Sequence, residues 1–240
     1  MNHHIEKEFK ATVRVPGSKS LSQRALVAAA LAKGNSEISN VLVSQDTTYL
    51  MGGLRELGAE IIENENGFAV SGTGGRLSGS GRELFLGNNG TALRFLTALV
   101  CLGKGQYVLT GEKRLCERPV GALAEALQDM GVNIHTTNHC PPVRISADGL
   151  AGGKVTLKDI ESSQYVSALL LCAPYTEKGI DLNLEGGVVS TPYIDLTIAV
   201  MKDFGADIRQ TGPYAYHVKA GEIYQGRKYF VEGDASSASY

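Results

Sequence analysis

The sequence predicts an α/β fold in which one β-α-β-α-β-β unit is used three times. Three observations predict it. Leu57-Gly58-Ala59-Glu60-Ile61, Met130-Gly131-Val132-Asn133-Ile134 and Phe204-Gly205-Ala206-Asp207-Ile208 share one pattern, with their glycines 73 and 74 residues apart. The first helix of each unit opens on small polar residues: Gly17-Ser18-Lys19-Ser20, Asn88-Asn89-Gly90-Thr91 and Glu161-Ser162-Ser163-Gln164. Those first helices are apolar through most of their length, as in Ala92 to Leu102 and Val166 to Cys172, whereas the second helices are amphipathic. A helix apolar on all faces belongs inside a fold. Three units with their first helices buried and sheets or second helices around them satisfy both patterns. The period is longer than that of common solenoids. A doubly wound sheet is the plain alternative, but it requires no equal repeats.

Taken in order, Phe9 to Val15 alternates as a short strand, and the helix Leu21 to Leu31 follows and stops near Gly34. Ser18 or Ser20 is placed to cap it. Ser36 to Val43 reads as a strand. Asp46 reads as the cap of a second helix that carries Tyr49, Leu50, Leu54 and Leu57 on one face and ends at Gly58. Ile61-Ile62 and Phe68 to Val70 are strands around an Asn66-Gly67 turn. The second unit repeats this order. Leu84 to Leu86 is a strand, Ala92 to Leu102 a helix and Tyr107 to Thr110 a strand. Arg118-Pro119 opens the next helix with proline in its first turn. Ile134 and Val143 to Ile145 are strands around a His139 to Pro142 loop. In the third unit, Lys154 to Leu157 is a strand, and a helix runs from Glu161-Ser162-Ser163-Gln164 through Cys172. Ile180 to Leu184 is a strand, and Thr191-Pro192 begins a helix closed by Gly205. Tyr216 to Val218 and Lys228 to Val231 are strands. Asp234 to Tyr240 looks like a fourth helix opening, with Ser237 following Ser163 by 74 residues. A helix of so few residues cannot stand alone, so the chain is expected to be a piece of a longer protein.

Bulk composition narrows the function classes. The 240 residues are 43% hydrophobic and 20% charged, with formal net charge −2. This balance argues against a general nucleic-acid surface. No apolar run is long enough to span a bilayer. Met1 to Lys10 lacks the apolar core of a signal peptide, so a cytoplasmic location is expected. Cys101, Cys116, Cys140 and Cys172 form no close pair, and neither a zinc site nor a disulfide scaffold is suggested. Cys116, beside an arginine-rich turn, is the one candidate thiol. The five histidines form no recognisable metal motif. The sequence also lacks the phosphate-binding loop of nucleotide triphosphatases and a dinucleotide fingerprint.

The chemistry is expected at the helix openings. Free N–H groups and the positive dipole end of a helix favour an anion. If the three units surround one axis, these starts converge. The side chains then available are Lys19, Ser20, Arg24, Asn88, Thr91, Arg94, Arg118, Ser162, Ser163 and Gln164. Such a pocket suits a small ligand with a phosphate or several carboxylates. The plain alternatives are capped surface helices, a surface charge or inter-helix ion pair for Arg24 and Arg94, core packing for Tyr193 and a simple cap for Asp46.

These motifs resemble one family, 5-enolpyruvylshikimate-3-phosphate synthase, or 3-phosphoshikimate 1-carboxyvinyltransferase. The matching segments are Pro16-Gly17-Ser18-Lys19-Ser20 with Arg24, Leu86-Gly87-Asn88-Asn89-Gly90-Thr91 with Arg94, Glu117-Arg118-Pro119, Ser162-Ser163-Gln164, Thr191-Pro192-Tyr193 and Val231-Glu232-Gly233-Asp234. The resemblance implies an inside-out α/β barrel domain with buried parallel helices. Residues 16–233 would be that domain, with repeats at about 16–83, 84–153 and 154–233. Residues 1–15 and 234–240 would belong to a second domain. It also implies a shikimate-pathway transferase that moves the enolpyruvyl group of phosphoenolpyruvate to the 5-hydroxyl of shikimate 3-phosphate. Phosphate is released through a tetrahedral intermediate.

By the same resemblance, Ser20, Arg24, Ser162, Ser163, Gln164, Ser190 and Tyr193 would hold shikimate 3-phosphate. Lys19, Asn88, Gly90, Arg118 and Gln164 would face phosphoenolpyruvate, or glyphosate in its place, and Lys19 would assist proton transfer. No metal or organic cofactor is implied. The implied partners are the two anionic substrates and the second domain of a monomer, with no nucleic acid and no membrane. The remaining acid, base and arginine groups would come from that second domain, so these 240 residues alone are expected to bind shikimate 3-phosphate weakly and to be inactive. Two positions depart from the family pattern: Phe95 stands where many relatives have proline, and Thr191 where some have lysine. The related UDP-N-acetylglucosamine enolpyruvyl transferase is a second candidate through Cys116. However, Cys116 lies too close to Arg118-Pro119, and Ser20 replaces that family's asparagine. A non-catalytic anion-binding module is a third.

Overall fold

The computed structural model describes residues 15–79, 81–186 and 190–234. Most of the expected strand Phe9 to Val15, and the serine-rich end from Ala235, lie outside them. Unit one contains α1 (Lys19–Leu31), β1 (Asn35–Ser39), α2 (Gln45–Glu56), β2 (Glu60–Asn64) and β3 (Gly67–Ser71). Unit two contains β4 (Arg82–Phe85), α3 (Gly90–Val100), β5 (Lys104–Thr110), α4 (Gly121–Asp129), β6 (Asn133–Thr137) and β7 (Cys140–Asp148). Unit three contains β8 (Gly153–Lys158), α5 (Ser163–Cys172), β9 (Ile180–Glu185), α6 (Pro192–Asp203), β10 (Ile208–Gly212) and β11 (Ala215–Val218). The strand β12 (Lys228–Phe230) follows.

The described residues form three four-stranded sheets, two built by units two and three from their own strands and one by unit one together with β12. Their orders are β4-β5-β7-β6, β8-β9-β11-β10 and β12-β1-β3-β2. In every sheet the outer strand pairs in parallel with the next one, and the remaining strands are antiparallel. The sheets are three separate units rather than one hydrogen-bonded barrel. In the first sheet the outer parallel strand is β12, from the far end of the chain, which pairs Glu37 with Lys228 and Ser39 with Phe230. The last strand of the third repeat in sequence thus completes the first sheet in space. The two chain ends of the unit also meet. Ser18 N–H donates to Glu232 O at 2.8 Å, and Asp234 N–H donates to Pro16 O at 2.9 Å.

The three glycine landmarks end α2, α4 and α6 in one way. Gly58, Gly131 and Gly205 have φ of 103°, 88° and 97°. Their N–H groups bond to Arg55, Gln128 and Lys202 carbonyls, and the following N–H bonds five residues back, to Leu54, Leu127 and Met201. This double closure satisfies the last free carbonyls and needs a left-handed residue, which glycine supplies without a Cβ penalty.

The helices α1, α3 and α5 form the centre. Leu21 to Leu31 is buried without interruption, as are Ala92 to Val100 and Tyr165 to Cys172. The helices α2, α4 and α6 bury one face each, through Leu50 and Leu54, Leu123 and Leu127, and Val200 and Met201. The central helices run the same way, with their starts at one end. At the other end Tyr175 Oη donates to Leu31 O at 2.6 Å, and Tyr224 Oη donates to Leu171 O at 3.0 Å. Among the described residues no helix is long and apolar enough to cross a membrane.

Several local expectations are corrected. The cap of α2 is Ser44, not Asp46. Ser44 Oγ accepts from Thr47 N–H, while Thr47 Oγ1 accepts from Ser44 N–H. This reciprocal box satisfies two groups, which one aspartate two residues later cannot do. Pro119 does not begin α4, which starts at Gly121 with no side-chain cap, because Pro119 and Arg118 belong to the loop before it. The hairpin loop of the first unit is Glu65-Asn66, since Asn64 already pairs with Gly67. Cys140 to Pro142, expected as loop, begins β7, where the ladder with β6 shifts register between His135 and Thr137.

Candidate functional site

Each central helix presents a capped first turn at the shared end. Ser18, rather than Ser20, caps α1, with Leu21 N–H donating to its Oγ. Asn89 caps α3 through Ala92 N–H at 2.9 Å, and Ser162 caps α5 through Gln164 N–H at 3.2 Å. The first N–H groups of a helix have no acceptor within it. Those of Lys19, Ser20, Gly90, Thr91 and Ser163 therefore sit at the positive ends of three dipoles.

These starts open on one cavity of about 370 Å³, a volume in the range that holds small metabolites. Lys19, Ser20, Arg24, Asn88, Gly90, Arg118, Ser162, Ser163, Gln164, Ser190 and Tyr193 all line it, with Asp46 and Thr91. Arg94 does not. Gln23, Asn89 and Glu161 complete the wall. Two helix starts touch directly, because Gln164 Nε2 donates to Thr91 Oγ1 at 3.1 Å. Ser190, just before α6, has φ of 62°, and its carbonyl accepts from Tyr193 N–H at 3.1 Å.

Arg24 is the most buried cation of the wall, 2% exposed. Its Nε donates to Thr197 Oγ1 at 2.7 Å, and Nη1 to Ser20 O at 3.0 Å. Its Nη2 donates to Ser167 Oγ at 3.1 Å and to Tyr193 O at 3.2 Å. Every partner is neutral. The Phe95 and Tyr193 rings flank the guanidinium, with centroids 5.3 and 5.8 Å away. Phe95 is thus a floor beneath Arg24. Burial lowers the pKa of Arg24 from the ordinary arginine range to about 10, partly opposed by Tyr193. A buried charge without a counter-charge is costly, and an anion in the cavity relieves that cost.

Lys19 is half exposed, and its Nζ lies 3.1 Å from Asp46 Oδ2. Asn89 ties the walls together. Its Nδ2 donates to Gln23 Oε1 at 2.8 Å and to Asp46 O at 2.6 Å, while its Oδ1 caps α3. Gln23 and Asn89 are each 1% exposed. Gln23 was missed as a wall residue, although it stands in the polar opening of α1 between Ser22 and Arg24, a readable signal. Among the described residues the buried Asn88 Oδ1 atom has no hydrogen-bond partner.

Gly90 lets two guanidiniums come close. A β-carbon there would lie 2.5 Å from Arg94 Nη1 and 2.7 Å from Arg118 Nη1. Arg94 is buried behind the wall, with Nη1 donating to Gly90 O at 3.0 Å and Nη2 to Pro119 O at 2.5 Å. Its pKa is lowered chiefly by burial, with Tyr165 opposing and Arg118 adding to the fall. Arg94 is buried rather than a surface charge, and among the described residues it has no salt-bridge partner. Cys116 Sγ faces Gly111 O and Thr110 Oγ1 at 3.6 and 3.8 Å and does not line the cavity. Among the described residues no group of His, Cys, Asp and Glu is placed to hold a metal ion.

The family model for EPSP synthase (3-phosphoshikimate 1-carboxyvinyltransferase) matches residues 4–240. The chain belongs to the EPSP synthase family. A 3-phosphoshikimate 1-carboxyvinyltransferase of Sulfurovum sp. is 47% identical over 238 residues, covering 97% of this chain and 56% of the relative. One from Marinomonas sp. is 45% identical over 233 residues, covering 95% and 55%. The solved EPSP synthase from Acinetobacter baumannii superposes with a TM-score of 0.86 at 29% identity, over 96% of this chain and 52% of that one. The chain therefore spans about half the length of the relatives it matches. The α/β repeat fold expected from the EPSP synthase pattern is the one observed, with separate sheets in place of a closed barrel.

Proposed function

We propose that this chain supplies the shikimate 3-phosphate side of an enolpyruvyl transferase. The observation that carries the reading is the convergence of Lys19, Arg24, Arg118 and three helix starts on one cavity, in a chain of the EPSP synthase family. Ser20, Arg24, Ser162, Ser163, Gln164, Ser190 and Tyr193 hold shikimate 3-phosphate, with the phosphate at the starts of α1 and α5. Lys19, Asn88, Gly90, Arg118 and Gln164 face phosphoenolpyruvate. The 5-hydroxyl oxygen gives up its proton and adds to the enol carbon while the methylene carbon takes up a proton, and loss of a methyl proton then expels phosphate from the tetrahedral intermediate and restores the double bond. Reactants and intermediate are all highly anionic, so positive groups already in place lower the barrier without reorganising. Lys19 compensates developing charge and assists proton transfer.

Residues 16–233 form the substrate-binding domain in this reading, and the further length of the relatives supplies the remaining acid and base groups. Three features support that division. The cavity is open, Asp46 is paired with Lys19, and Glu161 is held at 2.6 Å by Tyr165 Oη. Calorimetry of the 240-residue chain with shikimate 3-phosphate tests the binding. Weak binding that disappears in Arg24→Met supports it, and unchanged affinity in that variant overturns it. Turnover by the purified chain alone overturns the division of labour.

A further inference from the structure

Arg118 enters the cavity from the loop between β5 and α4, and α4 has no side-chain cap to anchor that loop's end. Among the described residues none accepts a hydrogen bond from the Arg118 guanidinium. The backbone of this segment is held by Arg118 N–H to Leu115 O at 3.0 Å and Val120 N–H to His139 O at 2.8 Å, and the carbonyl between them, that of Pro119, accepts from Arg94 Nη2 at 2.5 Å. The same guanidinium donates through Nη1 to Gly90 O at 3.0 Å. One planar fork thus joins the first residue of α3 to the peptide following Arg118. Arg94 is itself fixed. It is 5% exposed, and its Cζ sits 5.8 Å from the centre of the Tyr165 ring. The Tyr165 hydroxyl lies 2.6 Å from Glu161 Oε1 and 2.9 Å from Pro119 O. Its single proton favours the charged acceptor, which leaves Arg94 as the charged donor to Pro119.

We propose that Arg94 is a positioning residue for Arg118, acting through the Pro119 carbonyl. It holds the Arg118 donors unoccupied at the cavity wall beside Gly90. For the identity of the anion this inference rests on the reading above, but the clamp itself stands on geometry. A lysine keeps the charge yet cannot bridge two carbonyls with a fixed fork.

The test uses the 240-residue chain and phenylglyoxal, with modification followed peptide by peptide. In Arg94→Lys, Arg118 is expected to react about 12- to 150-fold faster, the factor that loss of one hydrogen bond from a charged donor puts on a local equilibrium. The exposed Arg144 serves as the internal reference and is expected to be unchanged. An Arg118 rate equal to wild type overturns the proposal, as does a rise shared equally with Arg144, which marks general loosening. A second measurement needs no variant. In wild type the Nη protons of Arg94 are expected as separate NMR signals, frozen on two carbonyls, and one averaged signal overturns the clamp. Phosphoenolpyruvate is expected to slow Arg118 modification in wild type and to do so less in Arg94→Lys. Absence of any slowing in wild type counts against the functional reading, while the rate comparison still judges the clamp.

Discussion

Replacing Arg24 by methionine separates a binding charge from a structural one. Burial lowers the pKa of Arg24 from the ordinary arginine range to about 10. At 1.36 kcal/mol per unit, that is about 3 kcal/mol set against the folded state. The substitution returns this cost and adds apolar burial. It removes four hydrogen bonds but leaves few acceptors stranded. Ser167 Oγ and Thr197 Oγ1 remain 2.7 Å apart, and Thr197 Oγ1 still donates to Tyr193 O at 2.8 Å. Stability of Arg24→Met is therefore expected within about 1–2 kcal/mol of wild type. Breaking a balanced buried ion pair would instead cost about 3–5 kcal/mol.

The assay is urea unfolding with and without shikimate 3-phosphate. Ligand is expected to raise the wild-type midpoint and to leave that of the variant in place. The sign with pH follows from the lowered pKa. Only above about pH 10, where the folded guanidinium gives up its proton before the unfolded one does, does the unfolded state bind the extra proton, so only there does this group make stability rise with pH. From pH 6 to 9 the two proteins should show parallel stability profiles. A loss above about 3 kcal/mol would show that the charge is balanced within the protein, and the argument from an uncompensated cation would fail.

Gly90→Ala places a β-carbon 2.5 Å from Arg94 Nη1 and 2.7 Å from Arg118 Nη1, so both guanidiniums must shift, the buried Arg94 against its hold on two carbonyls. The expected result is a stability loss of about 1–3 kcal/mol with about tenfold weaker phosphoenolpyruvate binding, read by calorimetry on the same sample. Asn89→Ala removes the α3 cap and leaves Gln23 Oε1 buried without its donor. A cost of about 2–4 kcal/mol is expected in urea unfolding. Gly131→Ala meets no atom within 4 Å and carries only the penalty of φ 88°, about 1–2 kcal/mol. In Gly58→Ala the new carbon also meets Ser78 Oγ at 2.6 Å, so its unfolding midpoint should fall further than that of Gly131→Ala. Equal midpoints would remove the steric part of that account.

Periodic and local features were legible in the sequence because their physics is local. The three Gly58-like helix ends need only a residue that tolerates positive φ. The all-apolar runs of α1, α3 and α5 need only a place away from water. Family motifs then named the polar residues that stand at the helix starts. What sequence order concealed were contacts between residues far apart in the chain. The strand β12 completes the first sheet because an outer parallel strand can come from any distance. Ser44 displaced Asp46 as the α2 cap because a reciprocal pair satisfies more backbone than one carboxylate. The side chains of Arg24 and Arg94 both lie within apolar helices, and nothing in their neighbours distinguishes them. Tertiary structure places one in the cavity wall and turns the other onto the Pro119 carbonyl. Helix type follows from spacing of three to four residues. The destination of a long charged side chain follows from which distant carbonyl or hydroxyl packing brings within about 3 Å.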